Sequence, residues 1–154
     1  MVKLDETDRR ILYHLIENAK MPSKELARVL KIHPNTLLQR VKKLEKNKVI
    51  KKYMAVVDYD KIGMDMYAIV MIRIKKRGLE NPKLLDTVTK IPEVEALYAV
   101  TGGQDCIAIV RAGGKDALVT SLRKVQSDEN ILRTTTHLIL LTYKASHDFN
   151  PMPP

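Results

Sequence analysis

The chain is 154 residues long, 45% apolar and 29% charged, with a formal net charge of +9 and one cysteine. Such a length holds one large or two small domains with a core that needs no disulfide, and the composition excludes a disordered chain. No apolar run approaches the roughly 20 residues that cross a bilayer, and a lone Cys106 excludes a disulfide framework or a thiolate metal cluster and reads as a small core residue.

The charge is unevenly placed. Residues 1–61 carry fifteen Lys/Arg against eight Asp/Glu, a net of +7, whereas residues 62–154 carry twelve against ten, a net of +2. Basic charge concentrated in one segment is what a polyanion binder needs, because each neutralised phosphate releases condensed counterions.

Up to residue 53 the apolar residues recur at helical spacing: Ile11, Leu12, Leu15, Ile16; then Leu26, Ala27, Leu30; then Leu37, Val41, Leu44. This predicts three short helices. Asp5 caps the first, Ser23 the second and His33 the third, with Pro34 at its first position, where a missing N–H costs nothing. Lys31-Ile32-His33 is then a tight turn, and Asn47 is placed to take left-handed backbone at the end of the third helix. From Lys52 to Val57 the pattern is that of a linker strand, followed by a loop to Gly63.

Beyond that loop the order is strand (Tyr67 to Lys75), helix (Pro82 to Lys90), strands (Val94 to Thr101, Asp105 to Arg111), helix (Asp116 to Val125) and strand (Leu132 to Tyr143). This β-α-β-β-α-β order predicts a ferredoxin-like antiparallel sheet with both helices on one face. Both rows of the first strand are apolar, Ala68/Val70/Ile72/Ile74 and Tyr67/Ile69/Met71. The last strand repeats this with Leu138/Leu140 against Ile139/Leu141/Tyr143, so the sheet's second face also calls for cover, and a second copy of the chain is the expected partner. A polar tail from Ser146 to Pro154 is expected to be loosely ordered.

The first segment meets the needs of a helix-turn-helix: a small residue, Ala27, inside one helix, an apolar residue, Ile32, in the turn, and the Leu37/Val41/Leu44 stripe on the next helix. The outward face of that helix carries Asn35, Thr36, Gln39, Lys42 and Lys43, with Arg40 beside the stripe. Asn and Gln pair with adenine edges, Arg with guanine, and Lys and Thr with phosphate, so Asn35, Thr36 and Gln39 are the candidates for bases. The alternative is that Lys42, Lys43, Lys46, Lys48, Lys51 and Lys52 form only a solvated face. Catalysis finds no support, since His14, His33, His137 and His147 are scattered and no nucleophile elbow or phosphate loop is present. No metal site or cofactor is expected.

Leu4-Asp5, Asp8, Ile11-Leu12, Leu26-Ala27, Thr36, Arg40-Val41, Leu44-Glu45, Val49-Ile50, Tyr53, Val57-Asp58, Gly102 and Asp105, as an ordered set, resemble the Lrp/AsnC family of feast/famine transcription regulators of bacteria and archaea. The resemblance implies an α+β chain: a winged helix-turn-helix domain (1–51), a linker strand and loop (52–63), a ferredoxin-like βαββαβ dimerisation and effector domain (64–145) and a tail (146–154). It further implies binding of double-stranded DNA, assembly of homodimers into an octamer, and an amino acid or related metabolite as effector. The ligand would lie at subunit contacts, near Gly102, Gly103, Gln104 and Asp105 and the hydroxyls of Thr134, Thr135 and Thr136. Two positions depart from the family pattern: His33-Pro34 stand where it has Ser, and Lys48 where it has Gly. A cytoplasmic, nucleoid-associated regulator is the expected reading. An architectural DNA-compacting protein and a metabolite-binding module without a regulatory DNA role remain as alternatives.

Overall fold

A computed structural model describes residues 2–75 and 83–153. The chain divides into two units, Met1–Val56 with Lys144–Pro154, and Val57–Tyr143.

In the first unit the apolar spacing yields α1 (Glu6–Glu17), α2 (Ser23–Val29) and α3 (Pro34–Lys46). The Asp5 carboxylate accepts from the Asp8 N–H at 2.8 Å, and the Asp8 carboxylate accepts from the Asp5 N–H at 3.4 Å. Two donors that a helix start leaves orphaned are thereby satisfied. Ser23, expected to cap α2, is instead its first residue. Pro22 holds the cap position at φ −58°, and its carbonyl accepts from the Leu26 N–H at 2.9 Å, so no side chain is used. His33 caps α3 as expected, its Nδ1 accepting from the Asn35 N–H at 3.2 Å.

Helices α2 and α3 end alike. The Ile32 N–H bonds to the Ala27 carbonyl at 3.0 Å and the Lys31 N–H to the Arg28 carbonyl at 3.1 Å; Val49 and Lys48 repeat this on Leu44 and Glu45, at 2.9 Å each. This paired closure needs one left-handed residue. Lys31 (φ 55°) and Lys48 (φ 58°) supply it. The left-handed position is thus Lys48 and not Asn47, which stays at φ −81°, because the closing bond must reach Leu44 to turn Val49 and Ile50 onto the core.

That core consists of buried Ile11, Leu12, Leu26, Ala27, Leu30, Leu37 and Leu44, with Ile32, Val41, Val49, Ile50 and Met152 packed against it. Each fully buried Leu or Ile contributes about 1.5–3 kcal/mol relative to exposure. Met152 corrects the expectation of a loose tail. Asn150 Nδ2 donates to the Tyr13 carbonyl at 3.1 Å and to Glu17 Oε1 at 2.6 Å, which fastens the tail to α1. One amide and one apolar side chain suffice to anchor it, despite the polar composition around them.

The second unit holds β1 (Met66–Ile74), the single turn α4 (Asp86–Thr89), β2 (Val94–Ala99), β3 (Cys106–Ala112), α5 (Gly114–Gln126) and β4 (Ile131–Leu138). Helix α4 is shorter than expected, and its expected start at Pro82 lies outside the described residues. The strands are antiparallel in the order β2-β3-β1-β4, which is the ferredoxin-like arrangement. One face buries Ala68, Val70, Ile72, Cys106, Ala108, Val110 and Ala112 with Val88 of α4 and Leu118 and Val125 of α5. Burial pushes the Cys106 thiol up, as befits a core residue. Tyr67, Ile69, Met71, Ile107 and Ile109 occupy the other face and are only half-buried.

Two strand expectations need correction. Residues 51–58 form no strand: among the described residues their backbone groups make no backbone hydrogen bond. The last strand stops at Leu138 rather than Tyr143: after the bond from the Ile139 N–H to the Tyr67 carbonyl at 2.8 Å, residues 140–143 make no further backbone hydrogen bond among the described residues. Leu140, Leu141 and Tyr143 are consequently exposed.

Candidate nucleic-acid interface and effector turn

Helix α3 turns Leu37 and Leu44 into the core and leaves Asn35, Thr36, Gln39, Lys42 and Lys43 exposed. At 100° per residue these five lie on the side opposite the buried stripe. Among the described residues, none of the five gives its side chain to a hydrogen bond or ion pair. Their donors and acceptors are therefore satisfied by water and can be exchanged for a polar ligand without breaking internal contacts.

Arg40 is placed differently. Its Nη1 donates to Asp5 Oδ2 at 2.6 Å and Asp8 Oδ1 at 2.7 Å, tying the middle of α3 to the capping box of α1. The side-chain bond from Arg40, with the Asp8 N–H, holds the Asp5 carboxyl below the usual aspartate range, and the same pairing raises the Arg40 guanidinium. The sequence placed Arg40 beside the apolar stripe and counted it among the candidate DNA contacts; here its guanidinium is engaged by Asp5 and Asp8.

Leu38 went unnoticed in the sequence. It is 45% exposed and follows Asn35 by three residues and precedes Lys42 by four, so all three share one flank of α3. The signal available was the doubled Leu37-Leu38: with Leu37 and Leu44 facing the core, Leu38 lies about 100° away around the helix and falls outside the buried stripe.

In the second unit the turn between β2 and β3 carries the proposed effector glycines. Gly102 has φ 112°, which only glycine adopts freely, and the space beside Gly102 and Gly103 is open; Gln104 is half-buried at its end. Asp105 Oδ2 accepts from the Ile74 N–H at 2.9 Å, so part of its charge serves β1. The three threonines do not share a surface. In register with Ile72 and Val70, Thr134 and Thr136 lie on the helix-covered face, where Gln126 Nε2 donates to Thr134 Oγ1 at 3.0 Å. Thr135 pairs with Met71 and stands on the open face. The structure thus divides these hydroxyls between two faces of the sheet.

The open face also carries Arg111, whose guanidinium lies 4.5 Å from the centroid of Tyr59 and 3.9 Å from that of Tyr67 and pairs with Glu95 at 3.3 Å. This cluster fastens the segment preceding β1 onto the sheet.

Two family models match. The AsnC-type helix-turn-helix domain covers residues 4–45, and the Lrp/AsnC ligand binding domain covers residues 67–149. The HTH-type transcriptional regulator FL11 of Pyrococcus horikoshii is 28% identical over 143 residues, 93% of each chain. Among solved structures, AsnC of E. coli superposes with a TM-score of 0.84 at 27% identity, covering 94% of this chain and 97% of that one. The feast or famine regulatory protein of M. tuberculosis complexed with L-methionine gives a TM-score of 0.86 at 26% identity, covering 97% and 100%. The helix-turn-helix and the four-stranded sheet thus match, along nearly the whole chain, proteins that are transcriptional regulators, and this chain belongs to the Lrp/AsnC family of transcriptional regulators, a helix-turn-helix joined to a ligand-binding domain.

Proposed function

We propose that the chain is a sequence-specific regulator whose homodimer lays two copies of α3 in successive major grooves and whose DNA affinity responds to an amino acid. The observation that carries this reading is the polar side of α3, without hydrogen-bond or ion-pair partners among the described residues, set against the buried Leu37 and Leu44. Asn35, Thr36 and Gln39 read base edges, Leu38 meets a thymine methyl, the one apolar group on that floor, and Lys42 and Lys43 hold phosphates. The half-buried apolar face of the sheet pairs with its copy, and dimers assemble further toward an octamer. Half-sites then lie about 34 Å apart. The amino acid sits by Gly102 and Gly103, with Asp105 toward its ammonium group. The chain works in the cytoplasm, at the nucleoid.

Selection of bound oligonucleotides, with and without amino acids, tests this. A palindromic site is expected, with its enrichment altered by one class of amino acid. On that site Gln39→Ala relaxes preference at particular base pairs, whereas Lys43→Ala weakens every duplex alike and lowers the salt slope by about 0.9. A specific-to-nonspecific affinity ratio near one assigns the protein to DNA compaction instead.

A further inference from the structure

Two lysines hold backbone conformations that favour glycine, one at each end of the exposed helix: Lys31 (φ 55°), three residues before α3, and Lys48 (φ 58°), two residues after it. A side chain in left-handed backbone crowds the neighbouring carbonyl, which is why glycine leads at this closing position. Nothing in the fold of the unit requires lysine there. Both residues are exposed, and among the described residues neither ammonium has an ion-pair partner. A residue kept against its local preference, without an internal contact to offset the cost, points to a role outside the fold.

We propose that Lys31 and Lys48 are phosphate-binding residues that clamp the two sugar-phosphate strands bordering the groove entered by α3. The thirteen residues of α3 span about 20 Å, and the major groove is about 12 Å wide. A helix of that length lying across the groove brings its two ends to opposite backbones. The first turn of α3 has no acid, and in its last turn Lys43 and Lys46 outnumber Glu45, whose Oε1 accepts from the Tyr53 hydroxyl at 2.9 Å. The closing turns fix both Cα positions through two backbone hydrogen bonds each, so the lysines are presented from rigid points rather than from a floppy loop. The clamp is distinct from Asn35, Thr36 and Gln39: it sets how far and at what tilt the helix enters, and it carries no base preference.

This inference rests on the reading of α3 as a groove-binding helix. Its test uses the full chain, a duplex carrying the selected site and an unrelated duplex, with Lys31→Gly, Lys48→Gly, Lys31→Ala, Lys48→Ala and Lys48→Arg. Relief of the left-handed strain raises the folding equilibrium of each glycine variant about threefold. The same variants bind both duplexes more weakly, and each lowers the slope of log affinity against log salt by about 0.9. The alanine variants lose the same slope without gaining stability, and Lys48→Arg keeps the parent slope. Glycine variants that fold more stably and bind both duplexes with unchanged affinity and slope overturn the clamp while leaving the groove reading intact. If Gln39→Ala and the parent ignore every duplex at low salt, the groove reading itself fails. Equal gain of stability and selective loss on only the selected site would make the lysines base readers and would also overturn the proposal.

Discussion

Arg40 lies in the middle of α3 with its guanidinium closed between Asp5 and Asp8, 31% of its side chain exposed and that of Asp8 only 6%. Removing the arginine leaves the buried Asp8 carboxylate without its cation, a loss of about 1–3 kcal/mol. Arg40→Ala is therefore expected to lower stability by that amount in denaturant titrations at neutral pH, with no change in which base pairs are preferred. Acidity sharpens the expectation. The folded-state pKa of Asp5 is depressed chiefly by the bond from Arg40, so its contribution is present above the ordinary aspartate value and is lost as pH falls through the lowered one. Parent and variant should converge in acid; equal melting of the two at neutral pH would show that the lock stabilises nothing.

At the scale of elements, the tail behaves as a fourth piece of the helical unit. Asn150 bonds to the Tyr13 carbonyl and to Glu17, and its Oδ1 accepts from the Met152 N–H at 3.2 Å, which sets Met152 against the core of α1, α2 and α3. Removing residues 149–154 strips the last turn of α1 of these partners and uncovers apolar surface. An expected loss of about 1–2 kcal/mol should be seen as faster amide exchange in α1, α2 and α3, with α5 unchanged. Unaltered exchange in α1 would reduce the tail contacts to incidental ones. The linker shows the opposite case: residues 51–58 have the composition of a strand, with Met54 and Val56 exposed, yet without a hydrogen-bonded partner among the described residues they form none.

For the whole molecule the decisive feature is a sheet with two apolar faces and helices on one. Tyr67, Ile69 and Met71 of β1 and Ile107 and Ile109 of β3 line the half-buried face without helices, and an apolar face of that kind supports the proposed pairing of two sheets. Under the dimer reading, Met71→Lys places a charge twice into one two-fold interface, and light scattering should show dimerisation weakened about 100-fold or more. A parent protein that stays monomeric at micromolar concentration would refute the sheet-to-sheet pairing. The charge distribution acts at this scale as well: a net of +7 in residues 1–61 against +2 beyond them favours approach of that segment to a polyanion, and under the DNA-binding reading its affinity is steeply salt-dependent.

The three helices, the caps at Asp5 and His33, the β-α-β-β-α-β order and the double-faced first strand are legible without a structure, because each is written in periods of 3.6 or 2 residues and in neighbours a few positions apart. So is the outward side of α3, which is the inward stripe rotated by half a turn. Which charges on that helix are engaged among the described residues depends on contacts between segments far apart in the chain. Arg40 meets Asp5 and Asp8 across 35 and 32 residues, and Asn150 meets Tyr13 and Glu17 across 137 and 133. The left-handed turns at Lys31 and Lys48 and the division of Thr134, Thr135 and Thr136 between two faces likewise follow from how helix ends close on a core and how strands fall into register. Local propensity ranks lysine and threonine by type; the packed chain ranks them by what each can still touch.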